Sequence, residues 1–298
     1  MPCKMGVDLG GTKTEVLILD EDNQPLYRER SDTPAQDYDA ICQLITDEYN
    51  RARDRFGQNL SLGIGIPGSA SPRSGLLRNA NTQCLNGRAL EQDLQDRIGV
   101  PLRIANDANC FALSEATGGA ARGHRVVFGV IIGTGTGGGL VVDGRLLEGP
   151  HSIAGEWGHN PLPWLRADDG ETDCYCGKRG CIETYLSGPG LQQSHARSSG
   201  QRLDSRQIVA AAGQGDAACS ETLERYYDQM ARALAHLINV IDPDAIVLGG
   251  GMSNIEDLYR QVPKRLPEYV FSDYVETPLL RAERGDSSGV FGAALLWG

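Results

Sequence analysis

Twice along the 298-residue chain, an apolar strand runs into a glycine turn and comes straight back as a second strand. Met5-Gly-Val-Asp-Leu9 enters Gly10-Gly11 and returns as Thr14-Glu-Val-Leu-Ile-Leu19. Val126-Val-Phe-Gly-Val-Ile-Ile132 enters Gly133-Thr-Gly-Thr-Gly-Gly-Gly139 and returns as Leu140-Val-Val142. Short apolar runs bounded by glycine read as hairpin strands. Segments of helical spacing and further short strands follow each hairpin, which is α/β construction. After the first hairpin come a strand over Pro25–Ser31, a helix over Tyr38–Phe56, a strand Leu62–Ile66, a polar loop Ser69–Arg88, a short helix with Leu90, Leu94 and Ile98, a strand Leu102–Ala105 and a helix from Ala108 capped by Asn106-Asp107. After the second come helices at Ser205–Ala212 and Asp216–Ile241, a strand Ala245–Leu248, a helix Ile255–Leu266 and a last helix Val290–Trp297.

This is a repeated plan with poor sequence identity. It predicts two α/β domains flanking a cleft, with the boundary near Gly118–Gly123. Residues 1–120 then form the N-terminal domain and 121–287 the C-terminal one, and glycine turns from both face one ligand. The formal net charge of −11 weighs against nucleic acid as a partner. No apolar run is long enough to span a bilayer, so no membrane partner is expected. The first residues lack a signal-peptide core, which makes cytoplasm the expected compartment. Five of the eight cysteines are isolated and read as small buried hydrophobes, whereas Cys174, Cys176 and Cys181 cluster.

Several motifs carry chemistry. In Asp8-Leu9-Gly10-Gly11-Thr12-Lys13 the glycines bring backbone N–H groups close to a ligand, Thr12 offers a hydroxyl, Lys13 offers a charge for phosphate, and Asp8 is placed to hold Mg²⁺. The loop is neither a Walker loop nor a dinucleotide fingerprint, because a strand follows it. Taken alone, it is equally a plain hairpin turn. Five glycines among Gly133–Gly139 cost much conformational entropy, and with the first loop they argue for phosphate binding by Gly133, Thr134 and Gly135. Gly249-Gly250-Gly251 suits close passage of an adenine or ribose, though taken alone it reads better as a flexible strand-to-helix turn. Asp107 is either an N-cap or a general base on an acceptor hydroxyl, and the roles are compatible. His159 with Cys174, Cys176 and Cys181 makes a Cys₃His set suited to one structural zinc per chain, which would place Glu156 and Glu183.

In this order the motifs resemble the ROK family (repressors, open reading frames and kinases) of the actin/hexokinase-like ATPases. The stretch Asp242-Pro-Asp-Ala-Ile-Val-Leu-Gly-Gly-Gly251 belongs to the same pattern, and the match runs from Gly6 to the C-terminus. The resemblance implies two ribonuclease H-like domains, with a last helix from about Ser288 packing back on the first. It implies Mg-ATP gripped by Asp8, Gly10, Gly11, Thr12, Lys13, Gly133, Thr134, Gly135, Gly250 and Gly251. Asp107 would be the general base. Gly68, Asn106, Asp107, Glu156, His159 and Glu183 would bind sugar, and His159 would also ligate zinc. A homodimer is implied too. The loops Gly65–Pro72, Asn79–Gly87, Glu156–Trp164 and Gly285–Val290 look most like those of bacterial fructokinases that also accept mannose. The expected reaction is therefore phosphorylation of the 6-hydroxyl of fructose, with N-acetylglucosamine or glucose as the alternative substrate. A non-catalytic sensor or a repressor is the distant alternative. The phosphate loop begins at Asp8, so no DNA-binding helix-turn-helix is expected ahead of it.

Overall fold

The structure, a computed structural model, describes residues 3–298. The chain begins with an antiparallel meander of β1 (Cys3–Leu9), β2 (Lys13–Leu19) and β3 (Pro25–Asp32), then forms α1 (Tyr38–Phe56) and β4 (Leu60–Ile66). The stretch expected to be plain loop contains a two-residue hairpin, β5 (Ser69–Ala70) with β6 (Leu77–Arg78), before α2 (Leu90–Ile98), β7 (Leu102–Asn106) and α3 (Asp107–Gly118). One sheet has the order β3-β2-β1-β4-β7, with β4 parallel to both β1 and β7. Parallel strands are covered on both faces, which explains the unbroken apolar run at the end of β4. Ile41, Ile45 and Tyr49 of α1 and Leu90 and Leu94 of α2 join Met5, Val7 and Leu9 in one core.

The second hairpin is β8 (Val126–Ile132) and β9 (Thr136–Val142), followed by β10 (Arg145–Leu146). The turn is therefore Gly133–Gly135 alone, and Gly137–Gly139 are strand, where Gly133–Gly139 had been read as one turn. Next come α4 (Glu183–Leu186), α5 (Gly188–Ser199), α6 (Ser205–Gly213), α7 (Ala217–Ile241) and β11 (Ala245–Gly249). The helix expected over Ile255–Leu266 is two short ones, α8 (Leu258–Gln261) and α9 (Leu266–Tyr269). Pro263 lies between them and cannot supply the N–H that a continuous helix needs. β12 (Leu279–Arg281) and α10 (Ser288–Ala294) complete the chain. The second sheet runs β10-β9-β8-β11-β12, with β11 parallel to β8 and β12.

The chain divides into two compact units. The first holds the chain up to Gly119, Gly139–Ala154 and Asp286–Gly298; the second holds Ala120–Gly138 and Gly155–Gly285. A division at 120/121 and 287/288 differs chiefly at Gly139–Ala154. A Cβ on Gly139 would lie 2.8 Å from the carbonyl oxygen of Ala108 in α3, so this part of β9 lies hard against the first unit's helix. Within the first unit α10 packs on β1, β4 and α3. Gly6 and Gly63 permit this, since a Cβ on either would overlap the α10 backbone, at Val290 and Ala293 respectively.

Candidate active site

In the first unit, the tight turn between β1 and β2 is closed by Gly10 N–H donating to the Lys13 carbonyl at 3.0 Å. A Cβ on Gly10 would sit 2.7 Å from that same oxygen, so Gly10 serves the turn itself. Gly11 has more space, its nearest neighbour being the hydroxyl of Thr82. Thr82 is buried and its hydroxyl has no hydrogen-bond partner. In the sequence it stands only within the loop Asn79–Gly87. The carbonyl of Thr12 accepts from Thr33 N–H at 3.0 Å. Lys13 is exposed and its ammonium pairs with Asp32 on the neighbouring strand.

Asp8 ends β1 beside β4. A Cβ on Gly65 would be 3.7 Å from Asp8 Oδ1, and one on Gly289 of α10 would be 2.7 Å from Asp8 Oδ2. Burial, then the nearby charges of Asp107 and Glu15, push the Asp8 carboxyl up from 3.8 to about 6, against a smaller opposing pull from Arg30. A carboxylate held among like charges in a buried place favours a cation, and this donor chemistry fits Mg²⁺.

Asn106 is the N-cap of α3. Its Oδ1 accepts from Ala108 N–H at 2.8 Å, and its Nδ2 donates to the Gly68 carbonyl at 3.0 Å. Capping thus falls first to Asn106, where the sequence reading shared it between Asn106 and Asp107. Asp107 Oδ1 also accepts from Ala108 N–H, at 2.8 Å. The first turn of a helix favours a carboxylate over a carboxylic acid, which suits a base. Gly68 has φ 93° and no room for a side chain, since a Cβ would be 2.5 Å from the Arg78 carbonyl. The structure therefore assembles Asp8, Gly68, Asn106 and Asp107 on neighbouring strand ends of one unit.

In the second unit, Gly133, Thr134 and Gly251 line a cavity of about 690 Å³ together with Gly188, Arg206 and Met252. That volume suits a nucleoside. Gly188 opens α5, and its N–H donates to the Gly133 carbonyl at 2.8 Å. Gly188-Pro-Gly190 has no element assigned to it from sequence; Ser187 caps a helix there, with Pro189 in its first turn. Ser-Pro spacing was the available signal. Gly250 and Gly135 do not line the cavity. Gly250 has φ 81° and abuts the Ile132 carbonyl, and a Cβ on Gly135 would lie 2.6 Å from Glu183 Oε2. Gly135 makes room for that carboxylate, which accepts from Thr136 N–H at 2.9 Å. Gly138 likewise makes room for Phe128 and Trp157. The glycine cost at 133–139 is thus carried partly by protein packing, and Gly133 alone among Gly133, Gly135, Gly138 and Gly139 has open space around it.

His159, Cys174, Cys176 and Cys181 present their ligand atoms within 4.8 Å of one another, the one such His/Cys group among the described residues. A tetrahedral zinc with Zn–S of ~2.3 Å and Zn–N of ~2.0 Å needs edges of ~3.8 Å between sulfurs and ~3.6 Å between sulfur and nitrogen. Cys176 and Cys181 Sγ are 3.6 Å apart, and Cys174 Sγ is 3.6 Å from His159 Nδ1. The residues fit zinc. His159 Nε2 is 3.0 Å from the Tyr175 hydroxyl, an outer partner that orients the ring. Glu156 precedes the 3₁₀ turn Trp157–His159 and is exposed, while Glu183 opens α4 two residues beyond Cys181.

Comparison with known proteins shows the family. The ROK family matches residues 4–298. The N-acetyl-D-glucosamine kinase of Yersinia enterocolitica is 40% identical over 98% of both chains, and that of Photobacterium profundum is 38% identical over the same share of each. Among solved structures, the ROK hexokinase of Thermus thermophilus has a TM-score of 0.88 at 29% identity, covering 99% of this chain and 97% of that one. The ROK glucokinase of Streptomyces griseus, solved with glucose and AMPPNP, has a TM-score of 0.74 at 27% identity and covers 98% of each. With this fold and a match across nearly its whole length, the chain belongs to the ROK family.

Proposed function

We propose that this chain is an ATP-dependent hexose kinase that transfers the γ-phosphoryl group to the 6-hydroxyl of N-acetylglucosamine. The observation that carries the sugar is the 40% identity, end to end, with N-acetyl-D-glucosamine kinases. The chemistry is supported by the Asp8–Asp107 arrangement and by the cavity at Gly133 and Gly251. The expectation of fructose rested on loop resemblance. It stands as a second reading, favoured by the segments 79–87 and 160–164.

Phosphoryl transfer asks the protein for positioning and charge placement. Asp107, kept ionised at the start of α3, accepts the proton of the attacking hydroxyl. Asn106 is held by Gly68 and by its own cap bond, and orients the sugar beside that base. Glu156 and Glu183 bind further sugar hydroxyls, and His159, whose Nδ1 faces the cysteines, joins them by exchanging the Nε2 contact with the Tyr175 hydroxyl for a sugar hydroxyl. Gly133, Thr134, Gly188 and Gly251 seat the nucleoside, while Gly11 and Thr12, on the turn that Gly10 closes, present backbone and hydroxyl groups to phosphate. Asp8 would hold the Mg²⁺ that accompanies ATP, which would supply charge neutralisation at the phosphate oxygens. His159, Cys174, Cys176 and Cys181 would hold zinc in a structural role, because the protein fills all four positions.

A coupled ADP-release assay over N-acetylglucosamine, fructose, mannose and glucose tests the proposal. The highest kcat/KM is expected with N-acetylglucosamine, and Asp107→Asn should lower kcat at least ~10²-fold with sugar binding retained. A clear preference for fructose would transfer the assignment to the second reading. No sugar-dependent release at all would refute the kinase reading.

A further inference from the structure

The last helix carries a glycine whose surroundings differ from those of its neighbours. Gly6, Gly63 and Gly292 all meet main chain: a Cβ on them would strike Val290, Ala293 and Cys110 backbone atoms respectively. These three let α10 lie close on β1, β4 and α3. At Gly289 the three nearest atoms to a Cβ all belong to one side chain, the Asp8 carboxyl: Oδ2 at 2.7 Å, Cγ at 3.1 Å and Oδ1 at 3.4 Å. The backbone at Gly289 does not need glycine, because its φ is outside the left-handed region. What needs the missing side chain is the position of Asp8.

Asp8 is bounded on its other side by β4, where Gly65 again lacks a Cβ, and by the buried Cys110 of α3. We infer that Gly289 is a positioning residue for the phosphate-loop carboxylate, so that the C-terminal helix sets where Asp8 can hold the cation that accompanies ATP. This rests on the proposed kinase reading and adds to it a residue some 280 positions away in sequence. Adding one methyl at 289 leaves less than van der Waals separation from Oδ2, so the carboxylate must rotate or shift by a few tenths of an ångström or more. Misplacement on the order of 1 Å at a reacting centre can cost about a hundredfold.

The test is a double-mutant cycle on the full-length protein with Gly289→Ala, Asp8→Asn and both together. The readouts are kcat and the KM values for Mg-ATP and sugar, with calorimetric titration of Mg-AMPPNP as a measurement independent of turnover. Gly289→Ala is expected to weaken Mg-AMPPNP binding about ten- to a hundredfold and leave sugar KM unchanged. In the Asp8→Asn background the same change should do nothing more, because coupled residues are non-additive. Equal, additive losses in both backgrounds would overturn the inference. So would an insoluble Gly289→Ala, since one displaced carboxylate cannot unfold a domain and the glycine would then serve backbone packing. Wild-type protein without sugar-dependent turnover would refute the kinase reading instead, and calorimetry would still report the coupling.

Discussion

Replacing Arg232 by Met tests what anchors the segment that carries the Cys₃His set of the second unit. Arg232 lies on α7 and is fully buried (0% exposed), as is its partner Asp169 at 1%. The guanidinium donates to Asp169 Oδ1 at 2.8 Å and Oδ2 at 2.9 Å, to Asp228 Oδ2 at 2.9 Å, and to the carbonyls of Pro163 and Trp164 at 3.2 and 2.9 Å. It thereby ties 163–169, the chain between His159 and the cysteines, to the longest helix. Removing one partner of a buried pair costs about 3–5 kcal/mol, because the other is left charged in a poor solvent. Asp169 would keep Gln229 Nε2 at 2.8 Å and Arg166 N–H at 2.7 Å, so the lower end, about 3 kcal/mol, is the working value. With a urea m-value of roughly 2–3 kcal/mol/M, the midpoint should fall by about 1–1.5 M. Trp157 and Trp164 report on the second unit, which avoids treating two units as one transition.

The pH dependence has a defined sign. Burial pushes the Asp169 carboxyl up, but its bonds to Arg232, Arg166 N–H and Gln229 prevail and hold it below the usual carboxylate value of 3.8. Its stabilising contribution is therefore present above 3.8 and is lost as pH falls through the lower folded value. In Arg232→Met burial acts with less opposition and the carboxyl rises. The penalty relative to wild type should then be full at pH 7 and narrow as acid protonates Asp169. Changing Asp169 to Leu together with Arg232→Met should recover most of the loss. A midpoint shift under ~0.3 M at pH 7, or a penalty that widens in acid, would refute this account.

Metal analysis of purified protein should give about one zinc per chain, and Cys181→Ser should lose it and raise the sugar KM. Full zinc occupancy in that variant would remove Cys181 from the ligand set. Asp8, raised from 3.8 to about 6, binds a proton in the folded state where the unfolded chain has released one. Stability of the ligand-free first unit should therefore fall by about 3 kcal/mol as pH rises through that window. Asp8→Asn should lose this component and be the more stable protein at pH 8, as Trp297 fluorescence in urea would show. An unchanged pH slope in Asp8→Asn would contradict it.

Much of the fold was legible because its signals are local. Two hairpins, the amphipathic spacing of α1 and α7, and the apolar run of β4 follow from period and punctuation over at most 25 residues. The misread elements are those where local and distant forces conflict. Gly137–Gly139 look like turn in isolation, but β9 forms there because its glycines admit Phe128, Trp157 and α3. Gly188-Pro-Gly190 drew no assignment, because its two glycines mask the helix start that Ser187 caps beside the cavity. The pairing of Lys13 with Asp32 depends on strand register, which no single motif reveals.

By itself the sequence determined the donor chemistry: which residues can hold zinc, which carboxylates can act as base or cation ligand, and which stretches bend enough to approach phosphate. Those are properties of side-chain type and close spacing, and His159, Cys174, Cys176 and Cys181 fall within 23 residues. Tertiary structure decided what each glycine is for. Gly133 is open at a cavity, Gly135 yields to Glu183, Gly250 to Ile132, and Gly289 to Asp8. A glycine carries no side chain whose chemistry could announce its role, so that role is defined only by the atoms that distant segments bring beside it.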